Sequence, residues 1–590
     1  MFDNTFPNQV RSGQTRPLHC VVGDLAKSDG VADRPARGAV YPGASVQSDS
    51  GRGLTAHTER ERERQRERAV SMSLSLLLRS FPTAKRGPLL PATQAFRRNS
   101  GERPSVAAAD ERAAGGLKTV EDLPGSGLLS NFYWHFIKGY YEKTHELQIV
   151  QKKMFGPIWK NKFGPITVVN VATADLIEQV LRQEGKYPVR AHMPHWREYR
   201  ELRGQAYGPL CEYGEKWHQL RSRLNPKMLR PKEVSNYSPA INEVVTDFVK
   251  KVKWLRENQG RGVMLNDVSS ELYKFAFEAI CTILFETRMG CLEEKVPEET
   301  DKFIKAVFEM FRLSAIIVFF PKALWPYIPQ WKRFVAAWDY IFYITEKLVN
   351  KKIREIQEHV EKGCAVEGEY LTYLLANIKM TPFDVYGSLC ELLLAAVDTT
   401  SNTTSWILYN LAREPSIQQQ LYEEVTSVCP GDQIPEAKDF ANMPFLKAVA
   451  KETLRMYPVV PGNARLAIEN GVVAGGYYFA KNTLFHLCHY AVSQEDSEFT
   501  ESRSFQPNRW LRTNKEEKNK HHPFASIPFG FGTRTCLGKR VAELEMYSVI
   551  SQLIKHFEVR PDPSGKVVMA KTRTLLCPES PINLQFIDRK

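Results

Sequence analysis

The stretch Pro528-Phe529-Gly530-Phe531-Gly532-Thr533-Arg534-Thr535-Cys536-Leu537-Gly538-Lys539-Arg540 sets one cysteine in surroundings suited to a thiolate. Gly530 and Gly532 permit a tight loop with inward-turned amides. Val541-Ala542-Glu543-Leu544-Glu545-Met546 continues as a helix, so the sulfur lies near a helix N-terminus, where negative charge is favoured. Arg534 adds a permanent cation close to Cys536. The segment can hold a deprotonated sulfur against a metal and grip an anionic group beside it. A buried structural cysteine next to a glycine-rich turn is the alternative.

Working outward, Glu452 and Arg455 sit one helical turn apart in Lys451-Glu452-Thr453-Leu454-Arg455 and form a charge-assisted pair. Trp217 and Arg221 project from one helical face and both donate hydrogen bonds; a surface cation–π pair is the other reading. Met380 to Asn410 is the longest apolar helical pattern, with Asp398-Thr399-Thr400-Ser401 in its middle. Such residues disfavour helix interiors unless they serve another purpose. Thr399 can bond back to the carbonyl of Ala395 and open a groove, or Asp398 and Thr399 can cap one another. Gly164 to Val171 reads as a strand and Thr173 to Leu181 as a helix capped by Thr173. Lys186 to Tyr207 reads as a long irregular loop and a candidate substrate segment, its His192 and His195 being surface or hydrogen-bonded residues rather than ligands. Helices are expected from Asn242 to Arg256, Asp267 to Phe285 and Thr300 to Phe311. The apolar run Ala315-Ile316-Ile317-Val318-Phe319-Phe320 is either core or a loop dipping into a membrane surface.

Phe529, Gly532, Arg534, Cys536 and Gly538 in this spacing resemble the haem-binding loop of the cytochrome P-450 family. The string Ala395-Ala396-Val397-Asp398-Thr399 resembles its oxygen-activating helix, and the resemblance runs from about Leu123 to the chain end. It implies a mainly α fold with small β-sheets (α+β), with haem b between a long distal helix and a proximal cysteine loop. Cys536 would be the axial thiolate. Trp217, Arg221 and Arg465 would meet the propionates, with Phe529, Arg534 and Gly538 as further cofactor contacts. Asp398 and Thr399 would route protons during O2 activation. Ala395, Ala396, Val460, Gly462, Asn463, Thr574 and Leu575 would line the substrate site. Ala396 stands where the family commonly has glycine, so a methyl group narrows that space. Glu452, Arg455 and Arg509 would form a Glu-Arg-Arg network under the cysteine loop. Lys447, Lys451, Lys539 and Arg540 resemble the docking face of the mitochondrial class, which takes electrons from an acidic [2Fe-2S] ferredoxin supplied by an NADPH-dependent reductase. Longer strings, among them Tyr457-Pro458-Val459-Val460-Pro461-Gly462-Asn463 and Leu487-Cys488-His489-Tyr490, resemble the branch of that class acting on vitamin D. They imply a 25-hydroxyvitamin D-type secosteroid hydroxylated at carbon 1, with side-chain hydroxylation at carbon 24 or 27 as the runner-up. A haem or sterol-binding protein without oxygenase activity is the reading from another class, and the Asp398-Thr399 pair argues against it.

The chain of 590 residues, 43% hydrophobic and 25% charged, has ordinary globular composition. Residues 1–71 lack an apolar pattern and contain the repeat Glu59-Arg60-Glu61-Arg62-Glu63-Arg64, so a disordered extension is expected. Residues 72–122 carry Leu74-Ser75-Leu76-Leu77-Leu78-Arg79, then Lys85-Arg86 and Arg97-Arg98, with no acid before Glu102; this is the composition of a mitochondrial presequence and linker. Residues 123–590 form the expected monooxygenase domain. Ten scattered cysteines without a CxxC pair argue against a disulfide scaffold or zinc site. No apolar run is long enough to span a bilayer, so peripheral association with the matrix side of the inner mitochondrial membrane is expected. The net charge of +13 accompanies no nucleic-acid motif in the folded part.

Overall fold

The computed structural model describes residues 116–589, apart from 165, 319, 363–367, 376–379, 469–470 and 515–520. The expectations for residues 1–71 and for the presequence lie outside the described residues. After a short strand (Gly125–Ser126) and a short helix (Leu128–Phe132) come α1 (Thr144–Phe155), the hairpin β1 (Ile158–Phe163) and β2 (Ile166–Val171), α2 (Ala174–Arg182) and α3 (Pro194–Arg203). There follow α4 (Gly214–Leu229), α5 (Ser238–Asn258), α6 (Val268–Phe285), α7 (Glu298–Ile317), α8 (Pro329–Glu361), α9 (Pro382–Arg413), α10 (Pro415–Val428) and α11 (Pro444–Met456). The last elements are β3 (Asn463–Leu466), β4 (Leu484–Leu487), α12 (Lys539–His556), β5 (Phe557–Pro561), the hairpin β6 (Ala570–Arg573) and β7 (Leu575–Pro578), and β8 (Leu584–Asp588). The fold is mainly helical with small sheets.

The helix α9 runs through the core because its sequence leaves it little polar surface: Leu389, Leu393, Val397, Trp406 and Leu408 are all buried. Each such side chain contributes about 1.5–3 kcal/mol on burial. Its start is fixed by a reciprocal cap. The Asp384 amide donates to Thr381 Oγ1 (3.1 Å) and the Thr381 amide to Asp384 Oδ2 (3.1 Å), with Pro382 in the first turn. The next helix begins at Pro415, which stops α9 at the preceding residues. Beside this helical body, a five-stranded sheet runs in the order Gly125–Ser126, β1, β2, β4, β3. β2 and β4 are parallel, and β4 and β3 antiparallel with Ala464 opposite His486.

Three local expectations are corrected. The span from Lys186 to Tyr207 is not wholly irregular, because Pro194 opens α3 and Trp196, Tyr199 and Arg200 form its buried face. Arg200 hid that stripe from a hydropathy reading: its guanidinium lies 3.9 Å from the Trp338 ring centroid and 4.6 Å from that of Phe342. Thr173 precedes α2 in an extended conformation, but its side chain makes no capping hydrogen bond. The helix expected to end at Phe311 continues to Ile317, so Ala315 to Ile317 is helical and Ile317 is buried, whereas Val318, Leu324 and Tyr327 are exposed. A second exposed apolar group, Leu128, Leu129, Phe132 and Ile137, lies near the chain's first described elements. The Tyr141 hydroxyl reaches the Ala315 carbonyl (3.4 Å), bringing the two segments together.

Candidate active site

Glycine freedom and one backbone bond shape the cysteine loop. Gly530 and Gly532 adopt φ of 73° and 70°, and the Cys536 amide donates to the Phe529 carbonyl (2.8 Å). Burial pushes the Cys536 thiol up, against the Gly538 amide, Arg190, Arg221 and Lys539, which all pull it down. The protein's own charges do not overcome burial. A bound metal cation supplies what is missing, since it deprotonates a coordinating thiol outright. Cys536 is nevertheless partly accessible, and a Cβ at Gly538 would meet nothing within 4 Å, so the loop borders open space.

Near this loop the chain gathers four guanidinium groups, Arg190, Arg221, Arg465 and Arg534, with the carboxylate of Glu184 beside Arg190 and Arg465. Arg465 Nε donates to Glu184 Oε2 (2.6 Å). Burial and the neighbouring cations hold Arg190 at about 10, and Arg534 at about 9, both well below the ordinary guanidinium range. Trp217 Nε1 is buried without a hydrogen-bond partner. An excess of buried positive charge and an orphaned donor are what a group with two carboxylates would satisfy, so these residues fit a porphyrin bearing two propionates.

Arg534, expected among the cofactor contacts, donates through Nε, Nη1 and Nη2 to the carbonyls of Pro188 (2.8 Å), Pro209 (3.4 Å) and Glu212 (3.2 Å), and its guanidinium stacks on Trp217 at 3.7 Å. It staples the segment before α4 to the cysteine loop and lends the pocket its charge. Arg190, which donates to the Arg534 carbonyl (2.7 Å), was missed by the sequence reading. Its only local signal is its place after Tyr187-Pro188-Val189.

On α9, Ala395, Ala396, Asp398 and Thr399 are partly accessible while Leu393, Leu394, Val397 and Thr400 are buried, so the first four face an interior space. Thr399 Oγ1 donates to the Ala395 carbonyl (2.8 Å), the back-bond anticipated from sequence; the reading in which Asp398 and Thr399 cap one another is not observed. Burial lifts the Asp398 carboxyl to about 7, so it exchanges a proton near neutrality. Thr400 Oγ1 donates to Glu545 Oε2 (3.1 Å), which ties this stretch of α9 to the helix that follows Cys536.

The segment from Val459 to Arg465 runs from the β6–β7 hairpin to the arginine cluster. The Leu576 amide donates to the Val459 carbonyl (2.7 Å). Val460, Asn463 and Leu575 are partly accessible. Thr574 occupies the exposed hairpin tip at φ 63°, which places it outside the wall expected of it. Gly462 was expected to face substrate; a Cβ there would lie 2.1 Å from His486 Nε2, so the close approach of an imidazole is what requires glycine.

The Glu-Arg-Arg network is formed. Glu452 accepts from Arg455 Nε (2.9 Å) and Nη2 (2.8 Å), Arg509 Nε (3.1 Å), Trp510 Nε1 (2.8 Å) and the Gln506 amide (3.0 Å), all in the interior. A second buried pair escaped the sequence reading. Glu391 on α9 accepts from the Leu210 amide (2.7 Å) and lies 3.6 Å from Arg200 of α3, holding the segment before α4 over the interior space. On the outer side, Lys447, Lys451, Lys539 and Arg540 all lower the carboxyl of Glu543, which burial otherwise raises. All four of these cations thus lie near Glu543, whose carboxyl burial still leaves raised.

The cytochrome P450 family profile matches residues 124–586, and the chain belongs to that family. Its cofactor is haem held through a cysteine thiolate, and it is a monooxygenase. Among similar proteins, mitochondrial sterol 26-hydroxylase of Rattus norvegicus is 45% identical over 479 residues, covering 80% of this chain and 90% of the relative. Mitochondrial 25-hydroxyvitamin D-1 alpha hydroxylase of Homo sapiens is 42% identical over 484 residues, covering 80% and 93%. A crystal structure of a cytochrome P450 with 21% identity superposes with a TM-score of 0.65 over 76% of this chain and 98% of that one, a likeness of fold.

Proposed function

We propose that this protein is a mitochondrial monooxygenase of sterols or secosteroids, with Cys536 as the thiolate ligand and Asp398 and Thr399 as its proton-handling pair. The observation that carries this is the pairing of an interior carboxyl near pKa 7 with a hydroxyl bonded back into its own helix, on a face of α9 tied through Thr400 and Glu545 to the cysteine helix. When bound, haem supplies the activation of O2 and the oxygenation of a C–H bond. Trp217 Nε1, Arg221 and Arg465 would hold its carboxylates, and Arg190 and Arg534 would add charge. Asp398 gives up and regains a proton, and Thr399 presents its hydroxyl once it releases the Ala395 carbonyl. The Glu452 network keeps the loop beneath rigid.

The side-chain terminus of a sterol is the position the relatives favour, since the 26-hydroxylase is 45% identical at the same 80% coverage where the 1 alpha hydroxylase is 42% identical. Carbon 1 of a 25-hydroxyvitamin D-type substrate is the second reading, carried by the segment from Tyr457 to Asn463. Lys447, Lys451, Lys539 and Arg540 would dock an acidic ferredoxin, and the exposed apolar groups around Leu129 and Tyr327 would rest on the inner membrane's matrix face. No described helix is long and apolar enough to cross a membrane. Reconstitution with ferredoxin, reductase and NADPH, followed by locating the new hydroxyl in products from cholesterol and 25-hydroxyvitamin D3, decides between the positions. Failure to oxygenate either compound refutes the substrate class.

A further inference from the structure

The side chain of His486 lies on the same face of the sheet as two small residues. Ala464 is its cross-strand partner, and Gly462 comes two residues earlier on the same face. Because a Cβ at 462 would come 2.1 Å from His486 Nε2, the imidazole fills the space a larger residue would take. Asn170 Nδ2 donates to the Val168 carbonyl (3.5 Å), which turns its Oδ1 toward His486 Nδ1 at 3.0 Å. That pairing puts the ring proton on Nδ1 and leaves Nε2 as an acceptor. The Cys488 sulfur, 3.5 Å from the same Nδ1, is the weaker contact.

Burial holds the imidazole at about 4, so the ring is neutral. It is nonetheless partly accessible. The segment carrying Gly462 is tied to the β6–β7 hairpin at Val459 and ends in the arginine cluster at Arg465, so the ring lies beside the place assigned to substrate. Close to it, His489 Nε2 is buried without a hydrogen bond.

We propose that His486 is a specificity-determining residue, whose Nε2, reaching past Gly462, accepts a hydrogen bond from a hydroxyl of the bound sterol or secosteroid. The proposal rests on the substrate class given above. An apolar site crossed by one neutral acceptor favours the ligand that brings a donor to it and disfavours the one that leaves it unpaired.

The test uses the full-length holoprotein and the haem spectral shift on substrate binding, with cholesterol against cholest-5-ene and 25-hydroxyvitamin D3 against vitamin D3. His486→Val should weaken the hydroxyl-bearing member of one pair by roughly three- to tenfold and leave its partner unchanged. His486→Gln, which keeps an acceptor, should restore part of the loss. Gly462→Ala, which displaces the ring without removing it, should repeat the selective loss and decides the matter if His486→Val does not fold, as judged by the carbon monoxide difference spectrum. Equal losses across both members of each pair, or unchanged affinities, overturn the role of His486. A parent protein that binds none of the four compounds overturns the substrate class, and the role of His486 with it.

Discussion

Replacing Glu452 by alanine removes the acceptor shared by Arg455, Arg509, Trp510 and the Gln506 amide, and leaves two buried cations without their carboxylate. Arg455 retains the Ser493 carbonyl (2.8 Å) and Arg509 the Thr500 carbonyl (2.9 Å), so hydrogen bonding is only partly lost while the charge compensation from Glu452 is removed. Breaking a buried pair in this way costs about 3–5 kcal/mol. A domain of about 470 residues unfolds with an entropy near 1 kcal/mol/K, so the expected fall in Tm is about 3–5 °C. The experiment is paired melting of parent and Glu452→Ala by far-ultraviolet circular dichroism and by the haem absorbance band, with haem content measured after gel filtration. If the network supports the cysteine loop as proposed, the haem band should melt first. Glu452→Gln, which keeps an acceptor, should fall less. A Glu452→Ala protein that melts within about 1 °C of the parent and retains full haem would refute the view that this network supports the site.

Cys536→His should abolish the thiolate-type ferrous carbon monoxide spectrum and oxygenation; retention of that spectrum sinks the ligand assignment. Thr399→Ala should bind haem and substrate normally but divert NADPH equivalents to peroxide or water, and full coupling to product would contradict the proton-handling role. Lys451→Glu should weaken ferredoxin binding more at low than at high salt while leaving the substrate-induced spectral shift in place, because rim charges steer encounter and are screened over about 8 Å at physiological ionic strength. Unchanged affinity at every salt concentration would move the docking face elsewhere. On pH, burial holds His145, His195 and His486 at about 4 and His489 at about 3, against an ordinary 6.5. Between 6.5 and 4 the unfolded chain takes up protons that the folded chain refuses, so this stability is present above 6.5 and is lost as pH falls toward 4. Asp398 and Glu545, lifted to about 7 and 8, act in the opposite direction, as do Asp267, Glu369, Glu424 and Glu543, also raised by burial. A His195→Gln protein, which lacks one of the four imidazoles, should therefore lose less Tm than the parent between pH 6.5 and 5, and an equal loss would count against the histidine account.

What could be read in advance was what short spacing encodes. Cys536 with its glycines, the Glu452–Arg455 turn and the Thr399 back-bond to Ala395 are each settled within a few residues, and each is present in the structure as read. The misses involve partners brought together only by the fold. Arg190 gains its meaning from Arg465 and Arg534, and Glu391 from Arg200 on a distant helix. The helix α3 was hidden because its inward face is built partly from arginine, which a hydropathy reading counts as solvent-facing. The imidazole that excludes a side chain at Gly462 comes from the neighbouring strand, which local spacing does not reveal.

Four arginines gathered with one carboxylate mean that the polypeptide by itself is short of negative charge at its centre. A dicarboxylate cofactor that binds only the folded chain then enters the folding equilibrium by mass action, adding about 4 kcal/mol at a thousandfold excess over its Kd. Porphyrin supply thereby becomes a determinant of how much of this protein a cell keeps. Under haem starvation newly made chains should be cleared by proteases faster than they are replaced, so that abundance, and not only catalytic competence, tracks the cell's iron–porphyrin economy.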